Sequence, residues 1–341
     1  MSDARFGCLP TMIGSLPYKD ADKVCAVVTR YLKDIPCWPQ LPKRAYVENM
    51  YTQFSQGFPG IVVTEGKTYV NRAQDLTKPL ENFYTDYMAN DFGKYPITAE
   101  YAAGLHRFLA LDNLTPRAVK GQVTGPVSWG MTVTDETGKA ILYDETFADV
   151  VPKFLRLKAS WMEQSLRKIS RNVIIFLDEP YMSAFGSVGM QLTREQVVSL
   201  LDETFSGIKG IKGIHCCGNT DWSVLLQTKV DIINFDAYNY AGSLALYPAE
   251  VKRLLDRGGA MAWGIIPTET EAIEKESVAS LKDRLEEAMA PFTRKGVPFK
   301  QLIGQGLLTP ACGLPTVTEQ AAERALELLA ELSAVIKRKY L

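Results

Sequence analysis

The chain has 341 residues, 46% of them hydrophobic and 23% charged, with a formal net charge of -1. That is the composition of a soluble globular protein with room for a large core. It excludes a basic grip on nucleic acid, and no apolar run nears the roughly 20 residues that span a bilayer. Met1 to Pro10 carries no basic stretch followed by an apolar one, so no secretory signal is expected. Six cysteines are too sparse for a disulfide scaffold, and a reducing cytoplasm is the simplest compartment.

Short apolar runs alternate with longer helical patterns along the whole chain. The runs read as buried parallel strands: Cys8–Ile13, Ile61–Val63, Val119–Val123, Val173–Leu177, Gly213–His215, Ile232–Phe235, Ala260–Gly264 and Leu302–Leu307. Helices are expected over Asp20–Lys33, Ala102–Leu111, Glu145–Ile169, Leu192–Ile208, Tyr247–Asp256, Val278–Ala290 and Thr316–Tyr340. Capping boxes are expected at Thr193 with Gln196 and at Thr316 with Glu319. Eight strands alternating with helices at this length predict a single (β/α)8 TIM barrel over 1–341, with a doubly wound open sheet as the competing architecture. Lys67 to Tyr101 is longer than an ordinary βα connection and reads as an excursion over the barrel mouth.

A barrel carries its site at the C-terminal ends of its strands. Read there, the expected strand ends supply Ser15, Glu65, Thr124-Gly125-Pro126, Asp178-Glu179-Pro180, His215-Cys216-Cys217, Asp236 and Cys312-Gly313. Acids, thiols and one of only two histidines thus collect at one rim. His215 and Cys217, two apart on a strand, face the same side. With Cys312 they form a soft three-ligand zinc site that keeps one coordination position open, the catalytic pattern. Asp236 is a candidate weak fourth ligand or a group orienting His215; equally it is a carboxylate capping nearby backbone amides. Cys216 points the other way and reads as a packed hydrophobe. Zinc in such a site holds an incoming thiol as its thiolate, a strong nucleophile toward an activated methyl group.

The segments Ile13-Gly14-Ser15-Leu16-Pro17, Val123-Thr124-Gly125-Pro126-Val127, Leu177-Asp178-Glu179-Pro180, His215-Cys216-Cys217-Gly218-Asn219 and Pro310-Ala311-Cys312-Gly313-Leu314 together resemble the catalytic, C-terminal half of cobalamin-independent methionine synthases. They are also similar to the wider uroporphyrinogen decarboxylase superfamily. The resemblance implies a zinc methyltransferase that makes methionine from homocysteine, with His215, Cys217 and Cys312 on the metal. It implies Ser15, Glu65 and Asp178 around the amino acid part of the acceptor. The family's fourth ligand is a glutamate where this chain has Asp236.

Two departures bear on the methyl donor. The duplicated N-terminal barrel of the folate-dependent enzymes has no counterpart here. Their histidine near the end of the seventh strand is also missing from Trp263-Gly264-Ile265-Ile266-Pro267. The remaining histidine, His106, falls in an expected helix and reads as structural. The expected donor is therefore methylcobalamin or a methylated corrinoid protein. The alternatives are methyltetrahydrofolate, methyl transfer to another thiol such as coenzyme M, a porphyrinogen-type decarboxylase, and a non-catalytic binding barrel.

Overall fold

The computed structural model describes residues 6–341. In chain order its strands are β1 (Leu9–Pro10), β2 (Ile61–Thr64), β3 (Lys67–Val70), β4 (Val119–Thr124), β5 (Thr134–Asp135), β6 (Val173–Asp178), β7 (Ile211–Cys216), β8 (Ile232–Asp236), β9 (Ala260–Ile266) and β10 (Gly306–Pro310). Seven of them form one parallel sheet in the order β1-β10-β9-β8-β7-β6-β4. Helices Glu145–Leu166, Arg194–Phe205 and Val278–Arg294 are among those in the connections between its strands, and Glu319–Tyr340 follows the last strand. No helix among the described residues is long and apolar enough to cross a membrane.

The expected second barrel strand is a correction. Ile61–Thr64 pairs antiparallel with Lys67–Val70, and β3 pairs with β5, so the run belongs to a separate three-stranded sheet. The place between β1 and β4 is filled by residues 34–40. On one side Ala118 N donates to Asp34 O (3.2 Å) and Lys120 N to Pro36 O (2.9 Å); on the other, Gln40 N donates to Gly14 O and Leu16 N to Gln40 O, both at 3.0 Å. Pro36 and Pro39 lack N–H groups and cannot build a regular ladder. The run therefore joins the sheet only through isolated bridges, Cys37 to Lys120 and Ser15 to Gln40. The eight-stranded barrel expected from the sequence is realised as a curled seven-stranded parallel sheet whose edges this run links.

Two smaller differences concern the end of the chain. Residues Phe299–Gly304 are helical, so the last strand starts at Gly306 rather than Leu302. The closing helix is capped by Thr318, whose hydroxyl accepts from Ala321 N, and not by Thr316. The capping box at Thr193 and Gln196 forms as expected.

Strand periodicity divides the sheet's two faces. Leu9, Ile174, Phe176, Ile232, Ala260, Ala262 and Leu307 form an inner cluster, while Ile175, Leu177, Ile233, Phe235, Met261 and Trp263 pack outward with the helices in the large core. Gly213 keeps the inner layer possible, because a Cβ there would lie 2.1 Å from the Phe176 ring. The inward positions of β4, and those further along β8 and β10, are polar: Lys120, Gln122, Asn234 and Thr309 are all fully buried. Lys120 Nζ donates to Ile13 O (2.8 Å) and to Gln122 Oε1 (3.3 Å), and lies 4.4 Å from the Phe176 ring centroid. The excursion after β3 is held down by an aromatic group of Phe83, Tyr95 and Phe154. It is also tied by Lys158, whose buried ammonium donates to Pro96 O at 2.8 Å.

Candidate active site and metal centre

Three side chains meet at the C-terminal mouth of the sheet. One potential ligand atom each from His215, Cys217 and Cys312 lies within 4.8 Å of the others. His215 ends its inward-facing row on β7, and Cys217 follows two residues later. Cys312 arrives from β10 by way of a bulge. Pairing with β9 runs Thr309 to Gly264 and then jumps to Pro310 with Ile266, which bends the chain across the mouth. Gly264 permits that crossing, since a Cβ there would stand 2.8 Å from Ala311 Cα.

The donor set fits zinc. At the usual bond lengths, tetrahedral ligands stand about 3.3–3.8 Å apart, and Cys312 Sγ lies 3.6 Å from His215 Nε2. The S–H of Cys312 and the neighbouring His215 ring hold Cys217 as the thiolate of the pair, well below an ordinary thiol. The hydrogen bond with Cys217, together with burial, pushes Cys312 up. Burial pulls the His215 imidazole down, but Cys217 and Asp178 outweigh it and raise it. Cys216 is buried, its thiol donating to Gly218 O at 3.6 Å.

A cavity of about 320 Å³ opens beside this group, lined by Ser15, Gln40, Asp178, His215, Cys217 and Cys312 among others. Ser15 sits at the end of the first inward run, against Gly313, where a Cβ would meet Ser15 Cβ at 3.2 Å. Asp178 is buried and its Oδ1 has no hydrogen-bond partner. Burial raises its carboxyl to about 6, with His215 and Lys120 pulling the other way. Its neighbour Glu179 turns outward to accept from Val127 N (3.0 Å) and Ser128 N (2.7 Å) at the start of the helix Pro126–Thr132. This explains the Thr124-Gly125-Pro126 segment, because a Cβ on Gly125 would lie 2.1 Å from Glu179 Oε1. Burial lifts Glu179 to about 7, against its hydrogen bonds from Ser128 and Val127.

Two residues expected at the site stand elsewhere. Glu65 is exposed at the turn joining β2 to β3 and does not line the cavity, because the strand that was to carry it lies outside the main sheet. Asp236 is outside the three-ligand group: its carboxylate accepts from Asn239 N and Asn239 Nδ2, both at 2.8 Å, which is the capping role. His215 Nδ1 is met instead by Asn234 Oδ1. His106 is structural, its Nε2 2.8 Å from Ile97 O.

Gln40, Met50, Thr268 and Pro315 also line the cavity. Thr268 falls at the end of the expected seventh strand, whereas Gln40, Met50 and Pro315 were not expected from sequence. Asn234 was within reach, since it lies two residues before Asp236 on the same inward row. Gln40 was not, because its proline-flanked run shows no strand pattern.

No family model matches the chain. In sequence it is 23% identical to the methionine synthase of Methanocaldococcus jannaschii over 221 residues, 64% of this chain and 65% of that relative, just short of two thirds of its length. In fold it resembles a B12-independent methionine synthase from Shewanella sp. W3-18-1, solved in complex with selenomethionine, with TM-score 0.58, 15% identity and 97% and 98% of the two chains covered. It also resembles a methyltransferase from Methanosarcina mazei, with TM-score 0.55, 12% identity and 95% and 93% coverage. The chain thus stands among relatives that are methyltransferases. The relative found in sequence is a methionine synthase, and the fold is one shared with a B12-independent methionine synthase.

Proposed function

We propose that this chain is a zinc methyltransferase that forms methionine by methyl transfer to the thiol of homocysteine. The observation that carries the reading is the meeting of His215, Cys217 and Cys312 at a cavity also lined by Asp178, the neighbour of His215 on the adjacent strand and a buried carboxylate with an unpartnered oxygen. Zinc bound there would supply charge that keeps the acceptor sulfur a thiolate at neutral pH. His215, Cys217 and Cys312 would hold the metal beside the cavity that takes the acceptor. Asp178 receives the acceptor's ammonium group, an ion pair that keeps the carboxylate charged despite burial. Ser15 offers a hydroxyl to the acceptor's carboxylate. Among the described residues no Lys or Arg lines the cavity. An acceptor whose only charge is an anion, such as coenzyme M, therefore finds no counter-charge, whereas an amino acid finds Asp178.

For the donor we favour a methylated corrinoid or corrinoid protein. Among the described residues the ionisable side chains on the cavity wall are Asp178, His215, Cys217 and Cys312, and each already has a role. That leaves none to protonate a departing folate nitrogen. In transfer from a corrinoid the cobalt–carbon electron pair stays on cobalt, the sulfur–carbon bond forms, and the thiol proton goes to solvent. We read residues 1–341 as one domain, working in a reducing compartment that keeps all six cysteines free.

The test is methionine formation by zinc-loaded protein from methylcobalamin and, in parallel, from methyltetrahydrofolate. Product from methylcobalamin supports the reading. Product from the folate alone overturns the donor, and no product from either with homocysteine bound overturns the reaction.

A further inference from the structure

One line of hydrogen bonds runs from the cavity wall to the loop before the helix Ala103–Leu109. Gln40 Nε2 donates to Gln53 Oε1 at 2.7 Å, and Gln53 Nε2 donates to Tyr101 O at 2.7 Å. Both glutamines are buried, at 2% and 0% exposure. The far end is a backbone carbonyl, which can only accept. The Gln53 amide nitrogen must therefore face Tyr101, its oxygen must face Gln40, and the nitrogen of Gln40 must face back. Chemistry fixes both amide orientations, which are otherwise hard to tell apart by shape. The outcome at the cavity is that Gln40 presents its oxygen. Ser15 Oγ donates to that oxygen at 3.3 Å, leaving a lone pair free. Gly14 makes room for it, since a Cβ there would lie 2.5 Å from Gln40 Oε1.

We infer that Gln40 is a specificity-determining residue for the acceptor, and that its carbonyl oxygen, with the Asp178 carboxylate, selects a thiol bearing an ammonium group. An ammonium is the complement of two acceptor groups lining one cavity, because it brings three donors and a charge. Gln53 and the Tyr101 carbonyl are positioning groups: without them the Gln40 amide turns over and offers N–H to the cavity. The inference rests on the reading of the cavity as the acceptor site, and it goes beyond it by naming what discriminates among thiols.

The experiment compares equilibrium binding of homocysteine and of 4-mercaptobutyrate, its analogue without the amine, to zinc-loaded protein. Wild type prefers homocysteine. In Gln40→Met that preference falls about tenfold or more, through loss of homocysteine binding alone. Gln53→Met lowers the preference by a smaller factor. This readout separates positioning from general loosening, which would weaken both thiols together. Equal weakening of both ligands in Gln40→Met, or an unchanged preference, overturns the inference and leaves the proposed reaction standing. Failure of wild type to bind either thiol overturns both.

Discussion

Asn234 holds His215 in a single tautomer. Its Nδ2 donates to Ala262 O (2.9 Å) and to Thr309 Oγ1 (2.8 Å), so its Oδ1 faces the ring and must accept from Nδ1–H of His215. The lone pair of the imidazole is thereby left on Nε2, the atom beside Cys312 Sγ. Such outer hydrogen bonds typically tune metal affinity. Asn234→Ala is expected to weaken zinc binding by roughly 10–100-fold with the fold retained, read by competition against a chromophoric chelator alongside circular dichroism.

Removal of a metal ligand should act differently from removal of Asp236. Cys217→Ser, Cys312→Ser and His215→Ala are each expected to purify with well under one zinc per chain by elemental analysis. Asp236→Ala, which lies outside the three-ligand group, is expected to keep its metal. Its loss would show instead in the turn through Asn239, as a small fall in melting temperature. A zinc-free Asp236→Ala protein of normal fold would put a fourth ligand back on the metal.

Asp178→Asn keeps the shape of the side chain but removes its charge. The expected result is a rise in KM for homocysteine of about tenfold to a hundredfold, with little change for a thiol without an amine. Glu65→Ala, exposed at the β2–β3 turn, is expected to leave both values unchanged. Steady-state kinetics with the two acceptors decides both.

Gly125 and Glu179 form a pair that should fail together. A methyl group on Gly125 would overlap the Glu179 carboxylate, so Gly125→Ala is expected to cost about 2 kcal/mol or more. Glu179→Ala alone orphans the buried amides of Val127 and Ser128. The double substitution should destabilise by less than the sum of the two, because the overlap is gone. Denaturant titration of the four proteins measures the coupling.

Lys158 makes stability depend on pH. Burial lowers its amine from 10.5 to about 7, so between those values the unfolded chain binds the proton that the folded one has released. Stability from this group therefore rises with pH across that window, and the full cost of burying the charge is felt below it. Lys158→Met removes the cost. Its melting temperature relative to wild type is expected to be highest at or below pH 7 and to decline toward pH 10.5. A difference that does not vary with pH would contradict this.

The legible parts of the sequence were those governed by short-range period. The spacing of His215 and Cys217 and the inward row on β6 through Ile174, Phe176 and Asp178 follow from alternation along a strand. Chain order alone brought Cys312 to the same end of the sheet. Ile61–Val63 misled because an apolar run looks the same in a buried parallel strand and in a half-exposed hairpin. Residues 34–40 escaped notice for the opposite reason. Pro36 and Pro39 erase the alternation, and only tertiary pairing with Gly14 and Lys120 reveals where the run lies. Asp236 could not be read from spacing, because its partner Asn239 is set by the local turn.

The proline-broken run also means that the sheet has a weak seam, and the cavity lies on it. Ser15 stands on one side of the seam and Gln40 on the other, and few backbone bonds hold them together. A molecule that contacts both side chains adds a tie to the two backbone bonds and the Ser15–Gln40 hydrogen bond that already join them. Occupancy of the site and closure of the sheet are therefore one equilibrium, so that slowed exchange of the Leu16 and Gln40 amides would register a guest before any chemistry takes place.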